Sequence, residues 1–109
     1  MDLIENSKFY FEIFSNKKIE LLEKIFSDEI TLRDWENHVK GKDQVLQVNK
    51  NIFESVDSIN VKPLNINADK NKIFAELEIE INNKDKILVF DIITFNEQGK
   101  ITSIKAYKG

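Results

Sequence analysis

The sequence contains no cysteine, and it has one histidine, one proline and three glycines among 109 residues. The absence of cysteine excludes a disulfide framework, a thiolate metal site and a thiol nucleophile. A single histidine, His38, excludes a histidine-rich metal site, and no Ser-His-Asp motif surrounds it. His38 lies in a polar stretch, which predicts a solvated side chain. The fold must therefore be held together by packing alone.

The sequence also lacks an excess of positive charge and any long apolar run. It has 16 Lys and Arg against 19 Asp and Glu, a net charge of −3, so it offers nucleic acid no net attraction. The first six residues lack the basic start and apolar run of a signal peptide. No segment approaches the roughly 20 apolar residues that cross a bilayer. We therefore expect no nucleic-acid partner, no membrane partner and a cytoplasmic location.

Hydrophobic residues make up 41% of the sequence and aromatic residues 10%, which is enough to build one core. The length suits one domain spanning residues 1–109. Apolar residues recur at helical spacing over residues 2–15, 19–26 and 45–56, which predicts three helices. Asp2 is the expected N-cap of the first helix.

Alternating apolar residues predict strands in most of the remaining sequence. A short strand is predicted over residues 30–35, and a polar loop over residues 36–40 connects it to the third helix. Later strands are predicted within residues 59–68, 73–81, 87–95 and 101–107. The apolar phase shifts after Pro63, as a bulge or sharp bend would produce. The pattern predicts an α+β fold in which the helices pack in the concave face of a strongly curved, mainly antiparallel sheet.

Asp91 interrupts an apolar row on one face of the strand over residues 87–95. Ile87, Val89, Ile93 and Phe95 share that face by two-residue periodicity. Burial raises the pKa of a carboxylic acid, and a neutral Asp donates a hydrogen bond that an ionised one cannot. The alternative is a structural Asp that pairs with a lysine or a backbone N–H.

Two further side chains are candidates for chemistry. Tyr10 lies on the apolar stripe of the first helix, so its hydroxyl either meets Asp91 or simply reaches the rim of the core. Asp34 ends the short strand beside Trp35, where a carboxylate either serves as a base or caps a turn.

Several segments together resemble the nuclear transport factor 2-like superfamily, and in particular its SnoaL-like and ketosteroid isomerase-like branches. These segments are Phe9-Tyr10, residues 30–34, Gly41-Lys42 and residues 91–101. The resemblance extends over essentially the whole chain and is most specific in the final hairpin. It implies a cone-like fold with three N-terminal helices that enclose an apolar pocket.

The resemblance to ketosteroid isomerases also implies roles for three residues. Tyr10 and a protonated Asp91 match the oxyanion hole, and Asp34 matches the catalytic base. Such chemistry requires no metal and no cofactor. The expected walls of the ligand site are Phe14, Trp35, Val89 and Ile93.

The sequence departs from those isomerases at two positions near the proposed site. Trp35 stands where they have proline, and Lys108 stands where they have a bulky aromatic residue, so we expect a ligand smaller or more polar than a steroid. The chain is then an isomerase or cyclase acting on a small carbonyl compound, a non-catalytic protein that binds a small apolar ligand, or a dimeric interaction module. Apolar residues on the exposed sheet face favour a homodimer formed through the sheet.

Overall fold

The computed structural model describes residues 2–109, so Met1, the first residue of the predicted domain, lies outside the described residues. It contains three helices and six strands. In chain order they are α1 (Leu3–Ser15), α2 (Ile19–Ile25), β1 (Phe26–Arg33), β2 (His38–Lys40), α3 (Lys42–Ser55), β3 (Ile59–Asp69), β4 (Lys72–Ile81), β5 (Asp85–Phe95) and β6 (Ile101–Lys108).

The six strands form one sheet in the order β2-β1-β6-β5-β4-β3. Neighbouring strands are antiparallel except for β1 and β6, which run parallel. The three helices pack against this sheet, which is curled but not closed. The predicted α+β class and mainly antiparallel sheet are therefore confirmed.

The curvature of the sheet depends in part on a bulge in β3. The pairing of β3 with β4 shifts between Pro63 and Asn65, as the change of apolar phase predicted. A bulge bends the strand that carries it and increases its twist. The concave face thereby receives the helices, with α1 against β3 and β4 and α3 against β1 and β2.

Side-chain hydrogen bonds fix the start of α1 and join its end to the end of α3. The Asp2 carboxylate accepts a hydrogen bond from the backbone N–H of Glu5 (3.1 Å), so the predicted N-cap of α1 is confirmed. Lys17, just beyond α1, has a positive φ of 55°. Its ammonium group donates hydrogen bonds to the backbone carbonyls of Phe53 (2.9 Å), Val56 (2.8 Å) and Asp57 (3.1 Å). One lysine therefore ties the end of α1 to the end of α3.

Two boundaries differ from the sequence prediction. The helix α2 ends at Ile25, and β1 begins at Phe26, four residues earlier than predicted, because the fully buried Phe26 pairs with Ile101 of β6. The prediction of a loop over residues 36–40 was wrong in its second half, where β2 pairs with β1. His38 is exposed in β2, and its Nδ1 lies 3.0 Å from Nη2 of Arg33. Within residues 2–109, no helix has the length and apolar character that crossing a membrane requires.

Candidate active site

A cavity of about 210 Å³ lies between the helices and the concave face of the sheet. Its walls are mostly apolar. Its polar lining consists of Tyr10, Asp34, Glu36, Asn37, Asn49 and Asp91. Within residues 2–109, no group of three or more carboxylate or imidazole side chains is arranged to hold a metal ion.

The strand β5 defines the depth of the cavity. Ile87, Val89 and Asp91 line it in succession, each two residues further along the strand. Ile93, predicted as a wall, is instead fully buried in the core and does not line the cavity. The floor therefore lies at Asp91, and the next inward side chain packs beneath it.

Asp91 has small neighbours on both adjacent strands. It pairs with Ala75 of β4 and with Ala106 of β6, so neither flanking methyl group covers its carboxyl group. Asp91 is 6% exposed and lines the cavity. Burial, with the negative charge of Asp34 as the second cause, raises the pKa of Asp91 to about 7. The carboxyl group is thus a hydrogen-bond donor over a wide pH range.

Tyr10 reaches the same cavity from α1. Its ring is buried and packs against Phe14, with centroids 6.0 Å apart, and against Phe26, with centroids 6.2 Å apart. Burial raises the pKa of the Tyr10 hydroxyl well above its usual range, and the negative charge of Asp91 raises it further. The phenol therefore stays protonated and able to donate.

Asp34 lies at the level of Asp91 on the other side of β6. The pairs Leu32 with Ile104 and Arg33 with Lys105 bring Asp34, one residue further, beside Ala106. Since Ala106 pairs with Asp91, two strand spacings separate the two acidic residues, or about 10 Å between Cα atoms. Both residues line the cavity.

The carboxylate of Asp34 also organises the turn that follows β1. Its Oδ1 accepts hydrogen bonds from the backbone N–H groups of Glu36 (2.8 Å) and Asn37 (2.6 Å). The side-chain amide of Asn37 lies 3.2 Å from each carboxylate oxygen. The turn-capping role considered from the sequence is therefore present. It holds Oδ1 in place and leaves Oδ2 with a single partner.

Trp35 and Phe14, two of the predicted walls, both line the cavity. Trp35 is 46% exposed, which places it at the mouth. The ammonium group of Lys108 lies 5.9 Å from the centroid of its ring, within the range of a cation–π contact. The two positions that depart from ketosteroid isomerases therefore meet beside the entrance.

The family model of the SnoaL-like domain matches residues 8–104 of the sequence. The chain belongs to the SnoaL-like domain family. No curated protein matches it significantly.

Solved structures share the fold of this SnoaL-like chain at low sequence identity. An NTF2-like protein of unknown function from Cytophaga hutchinsonii is 13% identical, with a TM-score of 0.83 over 100% of this chain and 91% of that one. A candidate polyketide cyclase from Sinorhizobium meliloti is 14% identical (TM-score 0.84, 97% and 99% covered). A candidate ketosteroid isomerase from Kribbella flavida is 9% identical (TM-score 0.83, 96% and 76% covered). The predicted SnoaL-like family is therefore confirmed, and the predicted fold is shared with an NTF2-like protein.

Asn49 is the buried polar residue of this SnoaL-like site that the sequence analysis did not single out, besides the more exposed Glu36 and Asn37 of the turn. It lies on α3, is 4% exposed and lines the cavity together with Ile52. The signal was present, since Asn49 falls four residues after Val45 and three before Ile52 on the buried stripe of the helix. A polar residue on the apolar stripe of a helix indicates a candidate site residue, just as Asp91 does on the apolar face of its strand.

Proposed function

We propose that this SnoaL-like chain binds a small carbonyl compound and acts on it as a cofactor-independent isomerase or cyclase. The observation that carries the proposal is the arrangement of two carboxyl groups on one apolar cavity. Asp91 is buried beside a tyrosine-bearing helix and holds its proton up to about neutral pH, whereas Asp34 is fixed by a turn about 10 Å away. Two carboxyl groups in such different environments can serve as a proton-bearing hydrogen-bond donor, Asp91, and a base, Asp34.

The proposed chemistry begins with proton transfer. Asp34 removes a proton from the carbon next to the carbonyl, and Tyr10 and neutral Asp91 donate hydrogen bonds to the resulting enolate oxygen. Asp34 then returns the proton to another carbon in an isomerisation. In a cyclisation, the enolate carbon instead attacks a second carbonyl of the substrate, and the proton held by Asp34 passes to the new alkoxide oxygen. Each oxyanion donor lowers such a barrier by about 3 kcal/mol when it is well aligned. No metal or cofactor takes part.

The cavity volume limits the substrate to a compound of about one ring. A cavity of roughly 150 Å³ is known to hold benzene. The cavity of about 210 Å³ has room for one ring with small substituents. A four-ring steroid does not fit within it, as the sequence departures at Trp35 and Lys108 also predicted.

The proposal is tested by exchange of the α-protons of a one-ring ketone into D₂O, followed by NMR. We expect the wild type to accelerate exchange. The exchange rate should fall about 10²- to 10⁴-fold in Asp34→Asn and about 10²-fold in Tyr10→Phe. Asp85→Asn and Tyr107→Phe are matched controls, because both residues are exposed and neither lines the cavity. Equal rates in Asp34→Asn and the wild type would contradict the base.

A second readout separates catalysis from simple binding. Phenol mimics the enolate, and Trp35, the only tryptophan of the sequence, lines the cavity and reports binding through its fluorescence. We expect Tyr10→Phe to weaken phenol binding about tenfold and Tyr107→Phe to leave it unchanged. Phenol binding without any proton exchange would support the non-catalytic ligand-binding alternative.

We also propose that the chain forms a homodimer through the outer face of the sheet. Leu88, Phe90 and Tyr107 are each at least 42% exposed on β5 and β6. Scattered apolar residues are normal on a surface, but Phe90 and Tyr107 are direct pairing partners and form a continuous patch. The cytoplasmic location remains a prediction from the sequence.

A further inference from the structure

Asn49 has a buried donor group that nothing else in the described chain uses. Its residue is 4% exposed, and its Nδ2 atom has no hydrogen-bond partner within residues 2–109. Buried polar groups in folded proteins are nearly always hydrogen-bonded, so an unpaired one calls for an explanation. Asn49 does not cap its helix, since it lies in the middle of Lys42–Ser55. Asn49 lines the cavity, which is where a partner can enter.

The two ends of the cavity are covered by different helices. The helix α1, which carries Tyr10, packs on β3 and β4, whereas α3, which carries Asn49, packs on β1 and β2. These strand pairs are the two ends of the sheet, and β5 and β6 separate them. The amide of Asn49 therefore approaches from the side of the sheet that ends in Asp34.

We infer that Asn49 binds a second oxygen atom of the ligand, so that the substrate is a small carbonyl compound with a further hydroxyl, ether or carbonyl oxygen. The inference rests on the proposed function, because the first oxygen occupies the donors Tyr10 and Asp91. An amide N–H is a hydrogen-bond donor and needs an acceptor. With one oxygen held at each side, the carbon to be deprotonated lies between them and within reach of Asp34.

This assignment makes Asn49 a specificity-determining residue. A site built around a polar group rejects an analogue that lacks the matching atom, because the protein group is then left buried and unpaired. A purely apolar one-ring ketone leaves Nδ2 of Asn49 without a partner. The chain should therefore discriminate between ligands of the same shape that differ only in the second oxygen.

The test compares two phenols of nearly equal shape, 4-hydroxyacetophenone and 4-ethylphenol, together with their meta isomers. Binding is followed by the fluorescence of Trp35. We expect the wild type to bind an acetyl compound more tightly than the matching ethyl compound. In Asn49→Leu the affinity for the acetyl compound should fall about five- to tenfold while the affinity for the ethyl compound stays the same, so that the preference disappears. Asn51→Leu, an exposed change on the same helix, is the matched control and should retain the preference.

The variants separate this inference from the proposed function. If the oxyanion donors act as proposed, Tyr10→Phe weakens the acetyl and ethyl phenols equally. If Tyr10→Phe has no effect but Asn49→Leu selectively weakens the acetyl compound, the oxyanion pair is wrong and the role of Asn49 stands. Equal effects of Asn49→Leu on both compounds, or no binding of either to the wild type, would overturn the inference.

A structural role for Asn49 predicts different results. Leu at this position removes the unpaired amide, so we expect the Tm of Asn49→Leu to equal or exceed that of the wild type, whereas a structural role predicts a lower Tm. If the Tm falls or the variant does not fold, NMR of the wild type decides. The side-chain amide signals of Asn49 should shift more with the acetyl than with the ethyl phenol, and equal shifts would show that a buried water satisfies the amide.

Discussion

Asp91 is the residue at which stability and the proposed chemistry are linked most directly. Burial, assisted by the charge of Asp34, raises its pKa from 3.8 to about 7. Between these values the folded chain holds a proton that the unfolded chain releases, so the free energy of unfolding falls as the pH rises. This contribution is fully present below about pH 4 and is lost once the pH passes about 7. Its full size is of the order of 4 kcal/mol.

Asp91→Asn removes this titration and keeps a side chain of similar size. We expect urea unfolding to show that the variant gains stability relative to the wild type as the pH is raised from about 4 to 8. The difference between the two proteins isolates Asp91, because the other carboxylates titrate in both. A difference that stays constant across this range would mean that Asp91 ionises at an ordinary pKa.

The sequence allowed a polar residue of the cavity to be identified where its side chain interrupts a periodic apolar row. Asp91 was found in this way, and Tyr10 and Asp34 do line the same cavity. Their catalytic roles stay predictions. Ile93 shares the face of Asp91, but periodicity gives the face of a residue and not its depth, so the sequence could not show that the cavity ends above Ile93.

At the scale of the elements, the ammonium group of Lys17 is the main connection between the ends of α1 and α3. Lys17→Met removes three charge-assisted hydrogen bonds to carbonyl groups at the end of α3. We expect the free energy of unfolding to fall by about 2 kcal/mol, measured by urea titration. Lys18→Met is the matched control, since Lys18 is exposed and makes no side-chain cap. Equal losses in the two variants would contradict the role of Lys17.

The sequence predicted most elements because their periodicity extends over several turns or pleats. The boundary between α2 and β1 was missed because Phe26 continues the helical stripe of Ile19, Leu22 and Ile25 equally well. Its pairing with Ile101 is a tertiary contact, and this contact makes Phe26 the first residue of β1 and not the last residue of α2. The strand β2 has only three residues, of which Val39 alone is apolar, so alternation cannot reveal it.

At the scale of the whole molecule, curvature creates both the cavity and the outer surface. The concave face is lined by helices, whereas the convex face has no helix on it and carries the exposed patch around Phe90 and Tyr107. From the sequence we expected helices in the concave face and apolar residues on the exposed face of the sheet. The size of the cavity depends on the distance between the helices and the concave face of the sheet. Local sequence patterns do not determine this distance.

The strand register gives a geometry for the proposed homodimer. A two-fold axis parallel to β5 sets β6 of one copy over β4 of the other. Phe90 then packs near its own symmetry mate. Tyr107 of one copy lies opposite Glu76 of the other copy, because both residues pair with Phe90 within their own sheet.

Phe90→Arg places a charge at the centre of this interface and should convert the dimer to a monomer, as measured by light scattering coupled to size-exclusion chromatography. Burying an unpaired charge costs several kcal/mol, which exceeds what a standard interface tolerates at micromolar concentration. Asn51→Arg adds the same charge on exposed α3 and should leave the dimer intact. Because Phe90 points away from the cavity, phenol binding should persist in the monomer. A monomeric wild type, or a dimer that survives Phe90→Arg, would show that the outer face is not the interface.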